Sequence, residues 1–238
     1  MSHPLDGVTA AILAGGLGTR LRSVVADRPK VLAPVAGRPY LAHLLDPLAA
    51  AGVRETVLLT GYGADQVRAA FGDEHHGMTL RYSVEPEPLG TGGAVRHATE
   101  LLTGRAVLLL NGDSFCALDL PAFVDAVPVG LVGMALARVP DVSRYGAVTL
   151  DATHRVTAFV EKGGATGEGW INAGVYLIPR ERLTDIPAGR SVSLEREVLP
   201  AWVAAPGVVG VPGGRFIDIG TPESFAAAAA FFAGERPA

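Results

Sequence analysis

The sequence predicts an α/β protein, a three-layer α/β/α sandwich around a mostly parallel sheet. Three observations carry this. Short apolar runs of strand length alternate with helically spaced segments from residue 8 to about residue 127. The run Ala106–Asn111 is apolar without alternation, as expected of a strand buried on both faces. Hydrophobic residues make up 49% of the 238 positions, enough for a sizeable core.

Val8–Leu13 reads as the first strand. Residues 40–51 carry apolar side chains at helical spacing and stop at Gly52, which suits a helix with a glycine after its end. Glu55–Thr60 is the second strand, and Ala64–Phe71 a short helix ending at Gly72. Residues 79–84 form a third strand, 92–102 a third helix and Ala106–Asn111 a fourth strand. The pattern then changes. Residues 129–139, 146–150, 156–160 and 170–178 read as strands with few helices between them, added to one end of the sheet. Residues 193–203 read as helical, 208–211 and 216–219 as strands, and Pro222–Phe232 as a closing helix with Thr221 as N-cap. No Pro/Ser-rich linker and no repeat divides the chain, so residues 1–238 are expected to form one domain with two functional halves, 1–127 and 128–238.

A net charge of −4 without any Lys/Arg run argues against nucleic acid as a partner. The one cysteine, Cys116, excludes an internal disulfide and fits a reducing compartment. Residues 1–7 lack a basic segment followed by an apolar one, and the apolar runs at 107–110 and 226–232 are too short for a bilayer. A soluble, cytoplasmic protein without a membrane partner is expected.

The first strand empties into Leu13-Ala14-Gly15-Gly16-Leu17-Gly18-Thr19-Arg20, and Pro29-Lys30 follows. Glycines let backbone N–H groups approach phosphate oxygens, and Arg20 and Lys30 supply charge. The turn is not a dinucleotide fingerprint, because Leu21 stands where a third glycine is needed and no acidic residue ends the second strand. Nor is it a P-loop, since no Gly-Lys-Ser/Thr follows. A plain tight turn is the competing reading.

Asn111-Gly112-Asp113 closes the buried strand, at the edge where open α/β sheets bind ligands. A carboxylate facing a triphosphate there requires a cation between them, which implies Mg²⁺. Asp218, in Phe216-Ile217-Asp218-Ile219-Gly220-Thr221, supplies a second carboxylate at a strand end. Glu85-Pro86-Glu87-Pro88-Leu89-Gly90-Thr91-Gly92-Gly93 is a stiffened loop able to hold a base, or a simple connector. Tyr145-Gly146, Glu161-Lys162 and Asn172-Ala173-Gly174 combine the donors and acceptors suited to a phosphorylated polyol. Arg138 and Arg144 are further candidates, and Trp170 reads as core. The six histidines, His75 and His76 among them, show no metal-ligand spacing with Cys116; they fall mostly in loops and read as solvated.

These motifs together resemble the sugar-1-phosphate nucleotidylyltransferases, whose opening G-G-x-G-T-R loop followed by P-K matches Gly15 through Arg20 and Pro29-Lys30. The likeness continues in order through Glu85 to Gly93, Gly112-Asp113, Tyr145-Gly146, Glu161-Lys162, Asn172-Ala173-Gly174 and Asp218 to Thr221, nearly the whole chain. It implies a Rossmann-like, GT-A-like sandwich with a mixed sheet. The C-terminal β-helix of some relatives is expected to be absent. It also implies a reaction in which a sugar-phosphate oxygen attacks the α-phosphorus of a nucleoside triphosphate and pyrophosphate leaves. In that scheme Arg20 and Lys30 hold the triphosphate and Asp113 and Asp218 hold Mg²⁺. Lys162 takes the sugar phosphate, Glu161 and Asn172 the sugar hydroxyls, and Gly146 and Gly174 line the pocket.

Glu85 points to the base. A carboxylate accepts twice and donates nothing, which matches the N1–H and 2-amino donors of guanine and repels the carbonyls of uracil and thymine. GTP is therefore the expected nucleotide. The loop and the Phe216–Pro222 segment look most like bacterial guanylyltransferases for D-glycero-α-D-manno-heptose 1-phosphate, which serve capsule or surface glycans. Mannose 1-phosphate is the alternative sugar. A uridylyl- or thymidylyltransferase, a non-catalytic sugar-nucleotide sensor and a dinucleotide oxidoreductase are the rival readings. The expected partners are two small molecules, with a homodimer left open.

Overall fold

Successive residues of the central strands feed two separate cores. In the computed structural model, which describes residues 3–16, 18, 21, 25, 27–160, 163–205 and 207–234, strand β1 (Val8–Leu13) sends Val8, Ala10 and Ile12 to one face and Ala11 to the other. That division is the period-two geometry of a strand covered on both sides.

A small hairpin, β2 (Pro34–Val35) and β3 (Arg38–Pro39), leads into helix α1 (Tyr40–Ala50). Then follow β4 (Glu55–Thr60), α2 (Ala64–Phe71), β5 (Glu74–His75), β6 (Met78–Val84), α3 (Gly90–His97) and β7 (Ala106–Asn111). The second half contains β8 (Ser114–Cys116), α4 (Leu120–Ala126), β9 (Val132–Val139), β10 (Ala147–Leu150), β11 (Val156–Val160) and β12 (Gly169–Pro179). It closes with a π-helical turn (Leu194–Val198), α5 (Leu199–Ala204), β13 (Val208–Pro212), β14 (Phe216–Asp218) and α6 (Pro222–Phe232).

The main sheet runs β11-β10-β12-β7-β1-β4-β6-β5, with β9 and β13 branching from β12. Strands β7, β1, β4 and β6 are mutually parallel. Strand β12 lies antiparallel to β7 and joins the second half to that parallel core. One face packs Leu41, Leu44, Leu45 and Leu48 of α1 with Phe123 of α4. The opposite face packs Val95 of α3 with Leu199 and Trp202 of α5. These are the outer layers of the sandwich.

Strands 8–13, 55–60, 106–111 and 156–160 and helices 64–71 and 222–232 fall where the sequence places them. Thr221 caps α6, its hydroxyl accepting the Ser224 N–H at 3.3 Å. Helix α3 departs from expectation. It begins at Gly90, because the Gly92 and Gly93 N–H groups donate to the Val192 carbonyl and draw the glycines into the first turn. The expected helix over 193–203 splits into the π-helical turn and α5. Strand β8 went unanticipated, since its three residues are ordered by pairing with β14, about a hundred positions away. Cys116 is buried, and that burial pushes its thiol up to about 11. Among the described residues no helix is long and apolar enough to cross a membrane.

Candidate active site

The carboxyl ends of β1, β4 and β7 open onto one cavity of about 1020 Å³. The turn after β1 is pinned at its floor. Ala14 N–H donates to Leu59 O at 2.8 Å, and Gly112 N–H donates to Leu13 O at 3.0 Å. Leu13, Ala14, Gly15, Gly16 and Gly18 line this wall. Lys30, on a single 3₁₀ turn after Pro29, reaches into the cavity with its side chain 12% exposed. Its ammonium lies 2.9 Å from Asp113 Oδ2, a charge-assisted contact that fixes both groups.

Strand pairing brings the second carboxylate close. Asp218 lies opposite Ser114 in the β14–β8 register, and Ile219 N–H donates to the Asp113 carbonyl at 2.8 Å. Asp218 Oδ2 accepts the Tyr145 hydroxyl at 2.9 Å, and its Oδ1 accepts Gly220 N–H at 2.7 Å. Burial, aided by the Asp218 charge, pushes the Tyr145 phenol up to about 12. The Tyr40 hydroxyl is buried without a partner among the described residues. Burial raises its pKa first, and the charges of both Asp113 and Asp218 raise it further, so the two carboxylates act on one neighbourhood. Two acidic oxygen sets beside an open cavity suit a hard divalent cation that keeps several other oxygen ligands.

Glu85 spans the ends of β1 and β4. Its own N–H donates to Thr60 O at 2.9 Å, and its Oε2 accepts Leu89 N–H at 3.1 Å. The other oxygen lies against the Gly61 backbone, where a β-carbon would come within 2.7 Å of it. Burial raises the Glu85 carboxyl pKa, and the Leu89 N–H offsets this in part. Gly90 has φ +73°, and a β-carbon there would meet Val192 O at 2.6 Å, so this corner requires glycine. Thr91 donates to Glu195 Oε2 at 2.6 Å and accepts Leu194 N–H at 2.8 Å.

The far wall comes from the second half of the chain. The β12–β9 register shifts between Asn172 and Tyr176. This irregularity accommodates Gly174 at φ +75°, where a β-carbon would meet Ser114 Oγ at 2.6 Å. Asn172 Oδ1 accepts Gly174 N–H at 3.0 Å, and its amide donates to the Tyr176 hydroxyl at 2.5 Å. Asn111 Oδ1 is buried at this wall with no partner among the described residues.

Apart from Ala173, all the expected site residues among those described line this cavity: the β1 turn, Lys30, Glu85, Gly90, Thr91, Gly112, Asp113, Tyr145, Gly146, Asn172, Gly174 and Asp218. Ala173 is fully buried in the core, and its carbonyl accepts Ser114 Oγ at 3.3 Å. Thr19, Arg20, Glu161 and Lys162 lie outside the described residues. Arg144 lines the cavity, whereas Arg138 pairs with Glu168 at 2.9 Å on the surface. Trp170 packs on the second core, as expected. Sequence reasoning missed Ser193, Glu195 and Arg196, which the π-helical turn presents to the cavity. The helix-start signal at Ser193, with acidic residues after it, was their only trace. The histidines also depart from expectation. His43 lies on α1 and stacks on Phe232 with ring centroids 4.0 Å apart, and His75 lies on β5 bonded to Asp46 at 2.8 Å.

A mixed sheet whose parallel strand ends open onto a cavity lined by a glycine turn, a lysine and two aspartates defines a class. The nucleotidyl transferase family model matches residues 9–235, and the chain belongs to that family. It is 39% identical to a mannose-1-phosphate guanylyltransferase of Mycobacterium tuberculosis over 94% of this chain and 63% of that protein. The chain thus spans under two thirds of the mycobacterial protein's length. It is 34% identical to a D-glycero-alpha-D-manno-heptose 1-phosphate guanylyltransferase of Campylobacter jejuni, over 91% of this chain and 96% of that one. The crystal structure of HddC from Yersinia pseudotuberculosis complexed with GMP-PN superposes with a TM-score of 0.83 at 34% identity, covering 94% of this chain and 99% of that chain.

Proposed function

We propose that this cavity transfers a guanylyl group from GTP to a sugar 1-phosphate, D-glycero-α-D-manno-heptose 1-phosphate in the first instance. The observation that carries the proposal is the convergence of Glu85, Lys30, Asp113 and Asp218 on one cavity. A sugar-phosphate oxygen attacks the α-phosphorus, the bond to the β-phosphate oxygen breaks, and pyrophosphate leaves with that electron pair. The attacking phosphate is already ionised, so in-line positioning and charge neutralisation suffice.

In this scheme the turn after β1, with Arg20 and Lys30, holds the triphosphate. Gly90, Thr91 and Gly112 shape the nucleotide wall, and Glu85 accepts from N1–H and the 2-amino group of guanine. Asp113 and Asp218 would hold Mg²⁺, which supplies charge neutralisation at the reacting phosphate. Lys162 takes the sugar phosphate. Glu161, Asn172 and Asn111 Oδ1, which has no partner among the described residues, take hydroxyls, while Tyr145, Gly146, Ala173 and Gly174 form the sugar wall. Residues 1–127 and 128–238 are then nucleotide and sugar-phosphate halves of one domain. The enzyme would work in the cytoplasm and supply GDP-heptose for capsule or surface glycans.

The heptose-type relative supports heptose. The 39% identity to a mannose-1-phosphate guanylyltransferase supports mannose as the second reading. Pyrophosphate release across four nucleoside triphosphates and both sugar phosphates tests the scheme. GTP with heptose 1-phosphate is expected to give the highest kcat/KM. Faster turnover of UTP or dTTP would overturn the base assignment, and a clear mannose preference the sugar assignment.

A further inference from the structure

A second polar cluster lies away from the cavity, where α1 meets the β5–β6 hairpin. His75 Nε2 is 2.8 Å from Asp46 Oδ1, and His76 Nε2 is 3.6 Å from the same oxygen. One ligand atom from each residue lies within 4.8 Å of the others. Neighbouring strand residues normally point to opposite faces. Here His76 has φ +49° and Gly77 φ +79°, so the chain turns sharply and both imidazoles face one carboxylate. Their ring centroids are 4.4 Å apart.

We propose that Asp46, His75 and His76 form a binding site for a transition-metal ion of the zinc type. Two imidazole nitrogens and one carboxylate oxygen are a borderline-soft donor set, which favours zinc over magnesium. A tetrahedral ion with bonds of about 2.0–2.2 Å needs ligand atoms about 3.3–3.6 Å apart. The 2.8 and 3.6 Å separations of Asp46 from the two histidines bracket that spacing, and all three ligand atoms lie within 4.8 Å of one another, so small side-chain shifts bring them onto an ion. The fourth position faces solvent, since the His76 side chain is 67% exposed. Arg38 holds Asp46 Oδ2 at 2.8 Å and so aims Oδ1 at the imidazoles. The ion would clasp α1 to the hairpin. None of the three ligands lines the large cavity, so the site does not depend on the guanylyl-transfer reading.

Calorimetric titration of Zn²⁺ into the whole chain, in millimolar Mg²⁺ to fill hard-oxygen sites, tests this. One zinc per chain is expected, with two imidazole nitrogens in its X-ray absorption spectrum. His76→Asn removes one ligand while keeping a residue tolerant of the left-handed backbone, and should weaken binding by at least about tenfold. Asp46→Asn should do the same, and if it fails to fold, His76→Asn decides alone. The metal-free melting of His76→Asn should match that of the parent chain. Absence of stoichiometric zinc binding, or binding undiminished in His76→Asn, overturns the proposal and leaves a hydrogen-bonded Asp–His cluster.

Discussion

Lys30 and Asp113 neutralise one another across 2.9 Å, and both line the cavity proposed for the triphosphate. Removing the carboxylate leaves a lysine that still attracts phosphate but removes charge placed to act at the reacting centre. Asp113→Ala is therefore expected to lower kcat by about 10²–10³-fold while GTP binding changes little. Steady-state and equilibrium binding measurements separate the two, and parent-like turnover in Mg²⁺ would defeat the assignment. Glu85 makes a different prediction. Burial lifts its pKa, so as pH falls it takes up a proton earlier than an ordinary glutamate does. KM for GTP should rise on that acid side, and Glu85→Gln should flatten the rise and narrow the preference for GTP. The stability effect has its own sign. A raised native pKa contributes fully at pH below the unfolded value, and that contribution is lost as pH rises through the native value.

At the scale of elements, the start of α3 and the π-helical turn are held together through one hydroxyl. Thr91 donates to Glu195 and accepts from Leu194 N–H. Valine keeps the shape but leaves a part-buried N–H and a carboxylate without that partner. Thr91→Val should cost about 1–3 kcal/mol in urea unfolding. It should also raise KM for the substrate that reaches Glu195 and Arg196. Unchanged stability would mean that solvent already satisfies these groups. The three-residue pairing of β8 with β14 works on the same scale, for together with the Ile219 N–H bond to the Asp113 carbonyl it brings the Asp218 segment beside Asp113.

At the scale of the whole molecule, the sheet separates two cores that share no side chains among the described residues. Leu44 belongs to one and Leu199 to the other, and both are buried. Each alanine substitution should cost about 2–5 kcal/mol. The double variant should equal their sum within about 0.5 kcal/mol, because neither residue shares packing partners with the other. A larger deviation in denaturant melts would show that packing is energetically coupled across the sheet.

Much of this was legible in the chain because strong local signals agreed with the fold. Continuous apolar runs can only be buried strands or short buried helices, and glycines after residues 13 and 111 mark where β1 and β7 turn toward the cavity. Residue types near those ends and at the end of β14 already suggested Lys30 for phosphate and Asp113 with Asp218 for a metal ion. The sequence by itself thus determined the parallel core, the carboxyl edge carrying the cavity and about half of its lining. Tertiary structure alone decided which distant pieces complete it. Strand β8, the Ser193–Arg196 wall, the burial of Ala173 and the meeting of Asp46 with His75 and His76 arise from contacts between segments far apart in the chain. Those contacts carry no local periodicity, because each is stabilised by a partner that only the folded chain brings near.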